Sequence, residues 1–412
     1  MSTSPPGPTL GSQRLDLLDA LRGFALAGVL LANLVAFSLY FFVSHDAAAA
    51  LPTAAIDRWL DPAIGIFVSG KFLTLFSIMF GIGFSLQMQR AADRGDGLRR
   101  YLRRLVVLLL IGLLHATLWW GDILRYYAVL GLLLLPLAGL RPRTLATIGV
   151  LLVIVPHLSM SAWLAGLLPP IPTQDQAFAA VLGAFSSHDV ATMLRGNFAF
   201  FDWWLPTYWG LVLSISGNML VGAALGKSGV LHDPARHAAF WKRLWWAFPA
   251  GIALALVVKL SDYGRLPMQS VWLGNAVGRM VLRDLNQATA LVLALGYAAV
   301  FVQLFMRPPW RRWLQHLAPV GRMALSNYLT HTLVGIAVFY GIGLDLGPRY
   351  GLVVVMAAWL LLFAAQIAFS RWWLARFRFG PAEWVWRSLT YGQAQPMRRQ
   401  PLAASKATPG LR

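Results

Sequence analysis

"RLDLLDALRGFALAGVLLANLVAF", residues 14 to 37, runs from a cluster of ions, Arg14, Asp16, Asp19 and Arg22, straight into an apolar segment whose deepest polar residue is Asn33. A helix needs about 20 apolar residues to cross a hydrocarbon core of roughly 30 Å. The run from 20 to 43 has that length, and nine others approach or exceed it, near 63–88, 104–120, 124–140, 144–168, 205–226, 244–260, 285–306, 320–343 and 350–374. The expected fold class is all-α, a polytopic membrane helix bundle of about ten transmembrane helices. Composition agrees: of 412 residues 58% are hydrophobic and 12% charged, with a mean hydropathy of +0.60. Soluble domains carry about 25% charged residues.

The formal charge of +19 invites a nucleic-acid reading, but the placement of the cations decides against it. With the N-terminus taken as cytoplasmic, 26 of the 35 Lys and Arg residues fall in cytoplasmic connections and tails. The opposite side holds Arg58, Arg125, Arg195, Arg265, Arg279, Arg283 and Arg349, while Lys71 and Lys259 lie inside apolar runs. This is a positive-inside pattern, with both termini in the cytoplasm. The basic pI reflects topology, so no nucleic-acid partner is expected; the lipid bilayer is.

Residues 1–13, rich in Ser, Pro and Gly and free of charge, read as a disordered lead-in, 14–392 as a single transmembrane domain, and 393–412 as a disordered cytoplasmic tail. A cleaved signal peptide is not expected, because the first apolar run is too long and ions precede it. The absence of cysteine excludes a thiolate nucleophile, a Cys-ligated metal and disulfides. Two outer segments, 169–204 and 261–287, mix turn residues with Trp and short amphipathic stretches. They can cap an outer vestibule or simply be interfacial loops anchored by Trp. "RWWLARFRFGPAEWVWRSLTYG", from Arg371, suits a helix lying in the cytoplasmic interface.

Ionisable groups within a span are costly, and each is a functional hypothesis with a partner to be found. Asp19 and Arg22 stand at i and i+3, near Arg14 and beside Gly23, which lets another backbone approach. Arginines at the entrance of a helix suit a phosphate; the plainer reading is a topology anchor with one ion pair. Asn33 lies about 16 Å further along the axis, where its amide can join helices or orient a reacting group. Lys71 should face a carboxylate, with Asp122 and Asp61 as candidates. "HATLWWGDILRYY", residues 115 to 127, is the densest polar patch. On a continuous helix His115 and Asp122 would stand about 10 Å apart, so a direct hydrogen bond requires the chain to fold back at Gly121. His115 can serve as a general base or merely as a packed hydrogen-bonding group. In "GRMALSNYLTHT", residues 321 to 332, Asn327 and His331 share a helical face and can line a path.

Soluble motifs are absent. "GKS" at Gly226 lacks the upstream glycine of a phosphate-binding loop, and "GIGFSL" at Gly81 lacks the third glycine of a dinucleotide fold. No spacing of His and carboxylates resembles a metal site.

The blocks "LDALRGFALAGVLLAN", "KFLTLFSIMFGIG", "HATLWWGDILRYYAVLG", "GRMALSNYLTHT" and "GPAEWVWRSLTY" resemble those of the YeiB family, bacterial inner-membrane proteins that share a domain of unknown function numbered 418. The resemblance runs from Arg14 to about Thr390 and implies a multi-pass protein of the bacterial inner membrane. More distantly, the "D-x-x-R-G" opening is similar to the first helix of membrane acyltransferases, including the lysosomal heparan acetyltransferase and glycan O-acetyltransferases. That similarity implies transfer of an acyl group from cytoplasmic acyl-CoA to a sugar on the other side. Asp19, Arg22 and Gly23 then match the cofactor end, and Asn33 the amide of the heparan enzyme's first helix. His45 falls within about one residue of that enzyme's reactive histidine, whereas His115 belongs to a block shared with the YeiB family. The resulting expectation is an acyltransferase using acetyl-CoA or another acyl-CoA and no metal. Arg14 and Arg22 would hold phosphates, and the pantetheine arm would thread between the first three helices. His115 or His45 would act as base, oriented by Asn33 or Asp122, with Lys71 or Arg125 stabilising an oxyanion. Arg125, Asn327 and His331 would line the path of a glycan or lipid-linked acceptor. The alternative is a transporter of a small anionic or amphipathic solute, in which Lys71, Asp122, Arg125 and His115 form a relay. A third reading is a non-catalytic membrane partner whose polar groups only fix helix packing.

Overall fold

The computed structural model describes residues 10–92, 97–154, 172–231, 233–262 and 276–398. Among them the helices are α1 Leu10–Phe37, α2 His45–Ala49, α3 Ala54–Phe67, α4 Lys71–Ala92, α5 Gly97–Leu118, α6 Leu124–Leu133 and α7 Pro142–Ile154. They continue as α8 Gln174–Phe185, α9 Val190–Thr207, α10 Trp209–Ser228, α11 Ala238–Leu244, α12 Ala247–Asp262 and α13 Ala276–Phe305. The last five are α14 Pro308–Leu314, α15 Ala318–Arg322, α16 Ala324–Phe339, α17 Leu352–Arg376 and α18 Pro381–Tyr391. No strand occurs among the described residues. The fold is an all-α bundle, one of the two ways in which a chain crossing lipid can pair every backbone group internally.

Seven stretches are long and apolar enough to cross a membrane: Asp16–Phe37, Ala54–Gln89, Gly97–Leu118, Trp209–Ser228, Ala238–Ser261, Asp284–Phe305 and Leu352–Arg376. Three shorter apolar helices, α6, α7 and α16, fall where the other expected spans lie. Residues 155–171, assigned to the fifth span and the loop after it, lie outside the described residues. The spans of α1, α10 and α13 are 67% buried, against 17% for α12 and α17, so the first three form the centre and the last two the lipid-facing rim.

Glycines set how closely the central helices approach. A Cβ on Gly222 would overlap the carbonyl oxygen of Ile78, and one on Gly81 that of Met219, so α4 and α10 meet backbone to backbone. Gly149 and Gly217 do the same for α7 and α10. At the basic end Gly23 abuts the Leu317 carbonyl, and Gly321 that of Asp19, seating α15 against α1 as the sequence at Gly23 implies. Without hydrophobic drive between helices in lipid, such contact is a main source of association.

Two helix starts are capped by carboxylates from distant parts of the chain. The Asp57 carboxylate accepts the Thr53 hydroxyl at 2.7 Å and the Val353 amide at the start of α17 at 3.2 Å. On the amphipathic helix α18, Glu383 accepts the amides of Leu325 and Ser326 at 2.7 and 3.1 Å and the Ser326 hydroxyl at 2.6 Å. This clamps α18 to the first turn of α16 and satisfies amides that a helix start leaves unpaired. Removal from water pushes the Glu383 carboxyl above its ordinary range, against the pull of these hydrogen bonds. The Trp386 indole donates to the Arg104 carbonyl at 2.9 Å, with the Arg104 guanidinium over its ring at 4.2 Å. Residues assigned to the tail also pack here: the Gln395 carbonyl accepts the Trp384 indole at 2.7 Å.

At the opposite end, α8 and α9 form from residues of the first outer segment. Thr173 and Gln176 form a capping box, and Asp189 accepts the Thr192 amide at 2.8 Å. Phe42 meets Phe178 and Phe200 at 5.3 Å each, and Trp120 meets Phe200 at 4.7 Å. Of the second outer segment, 263–275 lie outside the described residues, and with them the vestibule it would enclose.

Gly222→Val is expected to lower the unfolding midpoint in detergent sharply, by overlap with Ile78 at α4. Gly83→Val, where no atom stands within 4 Å of the added Cβ, is expected to lower it far less. Equal effects would contradict glycine-set packing.

Candidate functional site

Helix α5 ends at Leu118, and the chain turns back through Trp119 to Gly121, the Asp122 amide bonding to the Trp119 carbonyl at 3.3 Å. Asn197 of α9 caps the end of α5, donating to the carbonyls of Ala116 and Thr117 at 2.9 and 3.2 Å. The reversal brings Asp122 beside His115, with Nδ1 to Oδ1 at 2.8 Å, the direct contact that a continuous helix forbids. The same carboxylate accepts the Leu124 and Arg125 amides at 3.2 and 2.9 Å, capping α6. Its other near charge is the Arg125 guanidinium, Nε lying 3.9 Å from Oδ2.

Across the bundle, His115 Nε2 stands 2.7 Å from the Thr332 hydroxyl on α16. His115 is 5% exposed, and Asp122 and Thr332 not at all. A carboxylate can only accept here, so the neutral imidazole carries its proton on Nδ1, leaving the Nε2 lone pair to accept from Thr332 Oγ1–H. The Tyr328 ring packs 5.1 Å from the imidazole, and its hydroxyl accepts the Ile123 amide at 3.2 Å. Trp119 lies 6.1 Å from the imidazole, and its indole N–H has no hydrogen-bond partner among the described residues.

The other expected site residues are distributed around this centre. Arg125 donates to the Trp120 carbonyl at 2.9 Å and lies 3.7 Å over the Phe201 ring. Lys71 is buried, but it donates to the Gly65 carbonyl at 2.7 Å and to neither Asp61 nor Asp122. The carboxylate expected beside it is replaced by a helix carbonyl within reach of its stem. Asn33 Nδ2 is buried without a partner among the described residues. His331 Nε2 faces Gln366 Oε1 at 3.4 Å, and Gln366 donates to the Asn327 carbonyl at 3.2 Å. Asn327 in turn donates to Ser370 at 3.1 Å, so the shared face of Asn327 and His331 becomes a polar column beneath Thr332. His45, exposed at the start of α2, is not joined to His115.

At the basic end Asp19 and Arg22 pair at 2.8 Å, with Arg22 still 32% exposed. Arg322 also lies within electrostatic reach of Asp19, and Arg22 and Arg387 lie within reach of Arg104, so four arginines gather at this end. The Arg14 side chain lies outside the described residues. Sequence reading passed over Arg104, Arg322 and Arg387 because, counted along the chain, they register only as topology charges. Thr332 was missed because its partner is 217 residues away, beyond any local pattern.

Two cavities of about 180 Å³ each flank the central helices. One is apolar, lined by Phe84, Met88, Leu134 and Leu220 with Lys227. The other is lined by Ser69, Thr74, Ser214, Asn218, Asn286 and Gln287, and in it Ser214 Oγ and Asn218 Oδ1 have no partner among the described residues. Among the described residues no group of three His, Cys, Asp or Glu side chains is placed to hold a metal ion.

Fold and composition together define a multi-pass helical membrane protein, with a buried polar centre. Residues 225–393 match the family described as "Protein of unknown function (DUF418)". The chain is 32% identical to YxaH of Bacillus subtilis over 95% of its own length and 98% of that protein's. It is 30% identical to YeiB of Escherichia coli, covering 93% and 98% of the two chains. A protein of Bacillus acidopullulyticus encoded in the amylase 3′ region is 28% identical over 95% and 97%. The chain therefore belongs to the YeiB, or DUF418, family. No solved structure matches it.

Asp122→Ala would strand the His115 Nδ1–H and the Leu124 and Arg125 amides. A loss on the order of 3 kcal/mol is expected in denaturant unfolding in micelles, since each buried unpaired donor costs about 1–3 kcal/mol. Asp122→Asn, which keeps one acceptor oxygen, should fall between it and the natural protein. Unchanged stability in the alanine variant would contradict the network.

Proposed function

We propose that the chain is an acyltransferase of the bacterial inner membrane, moving an acyl group, acetyl in the simplest case, from cytoplasmic acyl-CoA to a hydroxyl of an extracytoplasmic glycan or lipid-linked sugar. The observation that carries this reading is the imidazole of His115, oriented by Asp122 and directed through Nε2 at a hydroxyl. An imidazole so held accepts the proton of an attacking alcohol and returns it to the departing thiolate.

Other features support the reading. Arg22, Arg104, Arg322 and Arg387 offer the charge and planar donors that bind phosphates, on the side that the cation bias makes cytoplasmic. Asp19 holds Arg22 in place, and Arg14 would extend the cluster. The cavity at Ser69, Asn218 and Gln287 has neutral donors and acceptors suited to sugar hydroxyls. Arg125, tied to the same carboxylate as His115, takes the oxyanion role in preference to Lys71, whose ammonium is held on a carbonyl. Asn33, with its free N–H, would orient the thioester. His45, exposed and apart, has no part in the chemistry.

The column Asn327, Gln366, His331 favours a second reading, a proton-coupled transporter, because such chains mark ion pathways. Acetyl-CoA titrated into the purified protein separates the two. Binding is expected, weakened roughly tenfold to a hundredfold by Arg22→Ala or Arg104→Ala, as loss of a charged hydrogen bond of about 1.5–3 kcal/mol implies. Absence of binding by acetyl-CoA and longer acyl-CoAs, with solute-driven proton uptake in liposomes, would replace the transferase by the transporter.

A further inference from the structure

Resting on the acyltransferase reading, we infer that Thr332 is the nucleophile, and that the acyl group passes through an ester on its hydroxyl before reaching the acceptor. The hydroxyl lies 2.7 Å from His115 Nε2, and the opposite ring nitrogen lies 2.8 Å from Asp122, which is itself fixed by two backbone amides. Nucleophile, base and orienting carboxylate thus stand in the serial hydrogen-bonded order by which a hydroxyl is activated. Many helical threonines bond the carbonyl one turn back, as Thr330 does to the carbonyl of Ser326 at 2.9 Å. The Thr332 hydroxyl instead reaches across the bundle to His115.

The step balances without a further reactant. Thr332 Oγ1 attacks the thioester carbonyl carbon while His115 Nε2 takes the hydroxyl proton; the C–S bond breaks, and His115 gives that proton to the CoA thiolate. The acceptor hydroxyl then attacks the threonyl ester, passing its proton through His115 to the leaving Thr332 oxygen. The carbonyl oxygen that becomes negative in each half needs a donor besides the Arg125 guanidinium, and the Trp119 indole N–H, which has no partner among the described residues, is a neutral one on a ring 6.1 Å from the imidazole. Full burial of Thr332 protects the ester from water, so it persists until an alcohol arrives. Two sequential half-reactions also let donor and acceptor approach from opposite faces of the membrane.

The test is incubation of the full-length protein in detergent with acetyl-CoA and no acceptor. Free thiol is measured over time, and the quenched protein is digested and mapped by mass spectrometry. The expected result is one rapid equivalent of thiol per chain and a single acetyl group on the peptide at Thr332. Thr332→Ser should retain both, and the near-isosteric Thr332→Val should lose both, with acetyl-CoA affinity unchanged and turnover onto added acceptor reduced at least roughly a hundredfold. Acetyl found on His115, or turnover that persists in Thr332→Val with no acetylated wild-type protein, would overturn the inference and leave the acyltransferase reading standing. Absence of acetyl-CoA binding would overturn both.

Discussion

A backbone N–H or C=O without a partner costs several kcal/mol in hydrocarbon, and every helix start leaves such groups behind. Asp57, Asp122 and Glu383 answer that constraint by holding the first amides of α17, α6 and α16. Asp57 and Glu383 reach across 296 and 58 residues, so they tie helix ends together as well as capping them. The Asp122 carboxylate does more. Its burial is repaid by the α6 amides, and Oδ1, which accepts the Leu124 amide, also fixes His115. The chemistry at the centre is thus a by-product of a cap that the fold requires.

Packing supplies the precision. Glycines bring α4, α7 and α10 into backbone contact, and the same device seats α15 against α1. Helix α16, which follows α15 directly, is thereby positioned from the basic end and clamped by Glu383 of α18. Thr332 meets His115 because these distant contacts set the height and rotation of α16 against α5. Among the described residues the donors Trp119 Nε1, Trp120 Nε1, Arg125 Nε and Asn33 Nδ2 are buried and unpartnered. Donors left unpaired in a hydrocarbon interior destabilise the fold, and their presence marks a region shaped for more than stability.

The membrane bundle was legible because its cause, apolar length, is written locally along the chain. Gly23 and the Asp19–Arg22 pair were legible for the same reason, since i and i+3 neighbours and small residues act at short range. The contact of His115 with Asp122 was legible as a condition, a reversal at Gly121, which the structure meets. Long-range partners were not. Lys71 pointed to carboxylates by charge alone, but its stem reaches the Gly65 carbonyl of α3. Thr332 and the arginines at 104, 322 and 387 become a site only through tertiary packing, to which a count of charges or hydroxyls is blind.

The central claim is that Asp122 fixes the imidazole so that Nε2 accepts from Thr332. Nitrogen-15 spectra of histidine-labelled protein at a pH where imidazole is neutral test it directly, with the His115 signals assigned among the eight histidines by their loss in His115→Asn. A proton on Nδ1, an unprotonated hydrogen-bonded Nε2, and a shift of the Nε2 signal in Thr332→Val are predicted. A proton on Nε2 in the natural protein would contradict the account.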